Sequence, residues 1–250
     1  YIIDSNGTKR GPFAEAGAKH TYHYSPFHSQ SALCGTCHDV SNPVYDRQPD
    51  GSYIPNEFGK SAPSYNTYDL FPVERTYSEW LVSAYNSPAG IYAPQFGGNK
   101  DNVSTCQDCH MADVTGKGAN KNGVPIRTDL GQHDMTGGNT FIPKIIKANY
   151  GNDVDAAAID AGILRAEYML QNAASIYLNV VPTGDNYQAI VEIVNETGHK
   201  LPSGYPEGRR IWINLAAYDS DDTVIWESGA YNETTAELDK TGTKIYECKL

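Results

Sequence analysis

The apolar and polar positions of the chain follow three different patterns. Residues 1–150 contain only short periodic segments between long polar stretches. Over 154–173 the apolar positions recur at helical spacing, which predicts an amphipathic helix. After this helix the period becomes two, as is typical of β-strands. The pattern predicts an α+β fold with three parts: a loop-rich region over 1–150, a connecting helix over 151–175 and a small antiparallel β-sandwich over 176–250.

Short helices are predicted inside the loop-rich region. Ser25 and Pro26 combine a capping hydroxyl with a proline at the first helical position, so we expect a helix that carries His28 towards Cys34. A capping-box sequence at 76–79 predicts another helix. So little regular structure is not expected to form an ordinary hydrophobic core over 150 residues. Another component is therefore expected to fill the interior.

The second half carries the strand signals. Alternating segments predict strands at 187–193, 211–215 and 223–226, and a polar turn is predicted at 219–222. The first residues lack a Met and a signal-like pattern, and 246–250 resembles the inside of a strand. We therefore expect both ends to be cut from a longer sequence.

Charge and hydropathy narrow the classes of partner. The chain has 250 residues with 19 Lys plus Arg against 30 Asp plus Glu, a formal net charge of -11. Nucleic acid would be repelled, whereas cationic partners or a surface built for solubility are favoured. No apolar run approaches the ~20 residues that span a bilayer, so no transmembrane segment is predicted.

Two copies of C-x-x-C-H carry the chemistry: CGTCH at 34–38 and CQDCH at 106–110. This spacing lets Cys34 and Cys37, or Cys106 and Cys109, bond one edge of a porphyrin while the adjacent histidine donates to iron. A four-cysteine zinc site usually has its pairs only about 15–20 residues apart. A redox disulfide needs no following histidine. Two covalent haem c groups are therefore predicted.

Covalent haem would supply the missing interior, because a porphyrin is a large apolar plate. Since thioether attachment takes place outside the cytoplasm, the motif predicts a periplasmic or extracellular protein. Four of the five cysteines are committed to the motifs, so no disulfide framework is expected. Cys248 is interpreted as a small apolar residue in a strand, with a truncated third motif as the alternative.

The chain has more histidines than the two motifs need as iron ligands. The chain has seven, and the motifs use His38 and His110 as metal ligands. Two haems need at most two further axial ligands, while five histidines remain: His20, His23, His28, His133 and His199. Met111 and Met135 are alternative distal ligands, which would raise the potential, but packing roles are favoured for both.

Several segments resemble multihaem c-type cytochromes of metal- and sulfur-cycling microbes. These are the stretch from Ser25 to Pro43, the glycine-rich sequence around His133, and the run GHKLPSG at 198–204 with the residues after it. The resemblance implies a haem region followed by a helix and a β-sandwich. It also implies distal iron ligation by His28, His133 and His199, with His20 as a further candidate, and bis-His, low-spin haems that transfer electrons.

The sequence is compatible with three functions. An electron-transfer protein in a multihaem conduit is favoured, because neither motif is altered and candidate ligands are abundant. A multihaem oxidoreductase acting on a nitrogen or sulfur compound would need an open iron position. A subunit of a cytochrome filament would share a haem ligand with its neighbour. The expected partners are other redox proteins or haem-bearing subunits, and the surplus of histidines predicts a ligand to a haem outside this chain.

Overall fold

The computed structural model describes residues 5–15, 17, 19–60 and 62–248. The described residues form two compact units, one from 1–37 with 77–198 and the other from 38–76 with 199–250. A 3-10 helix, Pro26–Ser29, precedes the first α-helix. The α-helices of the described part are α1 (Ser31–Gly35), α2 (Thr76–Leu81), α3 (Pro94–Gly97), α4 (Cys106–His110), α5 (Phe141–Tyr150) and α6 (Ala156–Gln171).

The strands are short and mostly paired in twos. They are β1 (Lys9–Gly11), β2 (Tyr22–Tyr24), β3 (Ser41–Arg47), β4 (Tyr53–Pro55), β5 (Leu70–Pro72), β6 (Ile91–Tyr92), β7 (Asn102–Val103), β8 (Asp113–Lys117), β9 (Ile126–Gly131), β10 (Ala174–Thr183), β11 (Asn186–Asn195), β12 (Arg210–Trp212), β13 (Leu215–Tyr218), β14 (Val224–Ser228), β15 (Tyr231–Asn232), β16 (Glu237–Leu238) and β17 (Ile245–Glu247). Within the described residues, β4-β3-β5 is a three-stranded sheet, and the other strands form pairs. β1 and β2 are parallel, whereas the remaining pairs are antiparallel. The prediction of an α+β fold is confirmed.

The long helix and the strands after it follow the sequence pattern closely. α6 begins where the Asp155 side chain accepts hydrogen bonds from the backbone N–H groups of Ala157 and Ala158, and it buries Ile163 and Ala166. β10 and β11 pair over ten residues each, and the strand predicted at 187–193 lies within β11. In the other unit, the strand predicted at 211–215 is divided between β12 and β13, and β14 begins at Val224.

The predicted helix before the first motif is broken in two. Pro26 occupies the first turn of the 3-10 helix, but the Ser25 side chain makes no capping bond, so that part of the prediction is wrong. Gln30 then adopts extended backbone angles between the 3-10 helix and α1. At 76–79 the helix prediction is confirmed by α2, and the Thr76 hydroxyl at its start donates to Glu74 Oε1.

Buried apolar side chains are few in the described residues. In the first unit Ala93, Phe96 and Val103 form a small buried cluster, against which Tyr85 and Cys109 of the second motif pack. The sparse core expected for a loop-rich haem region is therefore observed, and its main cluster lies beside a motif cysteine. The described residues contain no helix long and apolar enough to cross a membrane.

Candidate haem-binding site

The two motif helices meet at their first cysteines. The interaction of the Cys34 thiol with the side chain of Cys106, followed by burial and the charges of Cys106 and Cys37, raises the pKa of Cys34 far above its usual value. The contact is supported by the backbone, because the N–H of Cys106 donates to Ser31 Oγ at 3.0 Å. Ser31 is only 2% exposed. Helices α1 and α4 are thus joined by side chains at the start of each motif.

A second bridge ties the CQDCH motif to the residues before the CGTCH motif. Gln107 Nε2 donates to the carbonyl oxygen of Gln30 at 2.9 Å and to that of His28 at 3.4 Å. The Gln30 oxygen also accepts from the N–H of Leu33 at 3.0 Å, so Gln107 adds a second bond at the residue that directly precedes α1. The second motif therefore stabilises the entry into the first motif.

Helix α4 has a complete capping box. The Thr105 side chain accepts from the N–H of Asp108, and the Asp108 side chain accepts from the N–H of Thr105. Lys100 Nζ lies 2.8 Å from Asp108 Oδ1 and 3.0 Å from Asp113 Oδ2. Burial acts to raise the pKa of Asp108, but the bonds from Lys100 and from the backbone outweigh it, and the pKa is lowered. The Asp108 carboxylate is thus ionised, and its bonds to Lys100 and to the backbone N–H groups of Ser104 and Thr105 hold it at the start of α4.

The second thiol of this motif packs against the small apolar cluster of the first unit. Burial, followed by the charges of Asp108 and Cys106, raises the pKa of Cys109 to about 12. Tyr85 packs nearby, and burial, followed by the charges of Cys109 and Glu196, raises its pKa to about 12. The Tyr85 hydroxyl donates to the backbone oxygen of Glu196. At neutral pH Cys109 is a protonated thiol in an apolar setting, which suits a permanent thioether rather than a reactive thiolate.

Each motif histidine uses Nδ1 for a hydrogen bond. His38 Nδ1 lies 2.8 Å from Glu74 Oε1, and His110 Nδ1 lies 2.6 Å from the carbonyl oxygen of Thr136. Bonds of this kind orient the ring and are typical of histidines that bind a metal through Nε2. In this respect the residues present fit a haem-ligating role.

The partner of His38 is itself held by the GHKLPSG loop. Glu74 Oε1 accepts from the Thr76 hydroxyl at 3.1 Å. The same hydroxyl lies 3.2 Å from Ser203 Oγ and accepts from the N–H of Gly204 at 3.1 Å. This loop, which was predicted to supply His199 as a ligand, thereby supports the side chain that binds His38.

The candidate distal histidines lie in separate segments. His28 is in the 3-10 helix, beside the Gln107 bridge. His133 precedes Thr136 in an exposed turn, where the next residue, Asp134, pairs with Arg165 at 2.8 Å. His20 Nδ1 lies 3.1 Å from the carbonyl oxygen of Thr21, and His199 Nδ1 lies 3.1 Å from the carbonyl oxygen of Lys200. Their ligation of iron stays a prediction.

The described residues contain no group of three or more His, Cys, Asp and Glu side chains placed to hold a metal ion together. None of the five cysteines is in a disulfide. Each motif presents two thiols and one imidazole, which are the groups that a covalently attached haem would use.

Sequence reasoning missed the residues that support the motifs. Glu74 and Thr136 are separated from their histidines by 36 and 26 positions, with no periodicity to connect them. Ser31 and Lys100 likewise lie outside any pattern. The Thr105 to Asp108 capping box was detectable, because a threonine followed three residues later by an acidic residue is a helix-start signature.

Comparisons with known proteins give one weak likeness. No protein-family model matches the chain, and no curated protein matches it. A crystal structure of a penta-heme cytochrome c552 from Thermochromatium tepidum aligns at 20% sequence identity with a TM-score of 0.44. The alignment covers 87% of this chain and 36% of that one, so the chain spans little more than a third of the length of the solved structure.

Proposed function

We propose that this chain is an electron-transfer protein with two covalently bound haem c groups. Cys34 and Cys37 would form the thioethers of the first group, and Cys106 and Cys109 those of the second. The observation that carries the proposal is the contact between the two helices that bear Cys34 and Cys106, where the N–H of Cys106 donates to Ser31 Oγ at 3.0 Å. Because each thioether would be bonded to a porphyrin edge, this contact would bring the two groups close to each other.

The side chains around the motifs suit such a role. Haem c, when bound, supplies an iron that exchanges one electron between its ferrous and ferric states, and the protein adjusts this couple through ligands, hydrogen bonds and burial. His38 and His110, whose rings are bonded to Glu74 and Thr136, would be the proximal ligands. The bonds of Ser31 and Gln107 link the two helices that carry the attachment cysteines. Because electron transfer depends steeply on the distance between the two groups, such a link would favour it.

We assign the distal positions to the surplus histidines. His28, His133 and His199 would ligate iron, with His20 as a further candidate, which makes the haems bis-His and low-spin. Since these candidates exceed the two open positions, at least one would serve a haem of a longer chain or of a neighbouring subunit. Such a ligand would make the chain part of a multihaem conduit.

The protein would act outside the cytoplasm, in the periplasm or at the cell surface, because thioether-bound haem is made there. The partners would be other redox proteins or haem-bearing subunits. With a formal net charge of -11, and with further negative charge from haem propionates, the chain favours partners that present a cationic docking surface.

The test is a set of spectra of the purified, haem-loaded chain. We expect two haems per chain by the pyridine haemochrome assay, and only low-spin ferric signals in electron paramagnetic resonance. A high-spin iron that binds added nitrite, sulfite or cyanide would replace the proposal with an enzyme. Colourless protein with the mass of the bare polypeptide would contradict haem binding altogether.

A further inference from the structure

Side chains of helix α2 contact both the first motif and the segment that leads into the second. The Tyr77 ring packs against Gly35, the last residue of α1, where an added Cβ would lie 2.6 Å from the ring. The same ring is stacked on Trp80, with 5.7 Å between the ring centroids and 19° between the ring planes. Trp80 Nε1 donates to the backbone oxygen of Ser104 at 2.8 Å. These four residues belong to one compact unit, formed by 1–37 and 77–198.

Ser104 connects Trp80 to the helix of the second motif. Its N–H donates to Asp108 Oδ2 at 2.9 Å, and Asp108 belongs to the capping box of α4. Its hydroxyl donates to the backbone oxygens of Tyr85 and Ser87 at 3.0 Å and 2.8 Å. Ser104 is therefore held through its N–H, its hydroxyl and its carbonyl group, and Trp80 supplies the bond at the carbonyl group.

The two motif helices are thus linked at both ends of α1. The direct bonds, made by Ser31 and Gln107, lie at the N-terminal end of α1. The link through Trp80 reaches Gly35 at the C-terminal end, about 6 Å further along the helix axis. Bonds at one end only would leave the other end of the helix free to swing. The second link therefore fixes the angle between α1 and α4.

We infer that Trp80 is a positioning residue that fixes the mutual orientation of the two haem groups. Each group would be bonded to its motif helix through two thioethers, so the angle between α1 and α4 would also set the angle between the porphyrins. The indole suits this role, because its face stacks on Tyr77 while its ring N–H donates to Ser104. The inference rests on the proposed function, because it requires both haems to be bound.

The experiment is circular dichroism in the Soret region of the haem-loaded chain and of its Trp80→Phe variant. Two haems held close together at a fixed angle couple their Soret transitions, and the resulting bisignate signal has an amplitude that depends on that angle. Phenylalanine can still stack on Tyr77 but cannot donate to Ser104. We expect two haems per chain and a bisignate signal of smaller amplitude, because the porphyrins then adopt a range of angles. An amplitude equal to or larger than that of the wild type would overturn the inference.

A matched control separates this role from the loss of any one bond to a backbone oxygen. Asn86 is exposed in the same unit, and its Nδ2 donates to the backbone oxygen of Leu81 at the end of α2. Asn86→Ala should keep the wild-type amplitude. An equal fall in Asn86→Ala and Trp80→Phe would overturn the inference, because the signal would not depend on the Trp80 contact in particular.

A second variant tests the other half of the link. If Trp80→Phe does not accumulate with two haems, Tyr77→Leu is used instead. Leucine removes the ring that packs between Gly35 and Trp80 and should lower the amplitude of the same signal. A Tyr77→Leu chain with two haems and the wild-type amplitude would equally refute the inference.

The two proposals fail in different ways. A haem-free wild-type chain would contradict the proposed function. A chain with two haems and low-spin spectra, whose bisignate signal does not respond to Trp80, would leave electron transfer intact and remove only the positioning role. A wild-type chain with two haems but without a bisignate signal would remove that role too. The haem assay made before each spectrum distinguishes these outcomes.

Discussion

The backbone N–H of Cys106 donates to Ser31 Oγ at 3.0 Å, so the first residues of α1 and α4, which are distant in sequence, are in contact. Gln107 strengthens this contact by donating to the carbonyl oxygen of Gln30.

Removing the thiols of one motif should remove one haem. In the variants Cys34→Ala/Cys37→Ala and Cys106→Ala/Cys109→Ala, we expect the haemochrome content per chain to fall by about half, because the other pair still forms its thioethers. Cys248→Ala is the matched control and should keep the full content. Loss of haem in the Cys248 variant would instead support a third attachment site.

Ser31→Ala should weaken the joint between the motif helices. The N–H of Cys106 would lose its partner in a part-buried position, at a cost of about 1–2 kcal/mol in the free energy of unfolding. Denaturant unfolding of the haem-loaded protein measures this cost. Ser29→Ala, an exposed position in the preceding 3-10 helix, should change stability by less than about 0.5 kcal/mol. Equal effects of both variants would show that the Ser31 bond contributes little.

Lys100→Met should destabilise the helix that carries the second motif. Asp108 and Asp113, whose side chains are 18% and 13% exposed, would be left as poorly solvated charges without their cation. We expect the free energy of unfolding, measured in urea, to fall by about 1–3 kcal/mol. Lys147→Met removes a more exposed pair with Asp160 and should cost less than about 1 kcal/mol. A larger loss of stability in Lys147→Met than in Lys100→Met would contradict the stabilising role of Lys100.

Gly35→Ala should disturb the first motif from within. A Cβ at this position would lie 2.6 Å from the Tyr77 ring, and that ring is stacked on Trp80, whose Nε1 donates to the backbone oxygen of Ser104. The Tyr77 ring therefore has little room to move. We expect the free energy of unfolding to fall by about 1–3 kcal/mol.

Gly137→Ala provides the comparison for Gly35→Ala, because a methyl group added at Gly137 would meet no other side chain or backbone atom within 4 Å. Its stability should stay within about 0.5 kcal/mol of the wild-type value. A stable Gly35→Ala variant with normal haem content would mean that Tyr77 can shift after all.

Predictions from the pattern succeeded where the physical cause was local. The helix over 156–171 follows from apolar residues at helical spacing and from the Asp155 cap. β11 follows from alternation of side chains on the two faces of a strand. The pattern failed at Ser25 and Gln30, because an extended residue breaks the expected helix there and hydrophobic spacing does not report it.

By itself, the sequence determined the donor atoms of the candidate site and the α+β class. Both depend on covalent spacing or short periods, which are properties of neighbouring residues. Only the tertiary structure decided that Cys34 contacts Cys106 and that His38 is bonded to Glu74 while His110 is bonded to Thr136. These partners come from segments separated by many residues of irregular chain, and their meeting depends on how the segments pack.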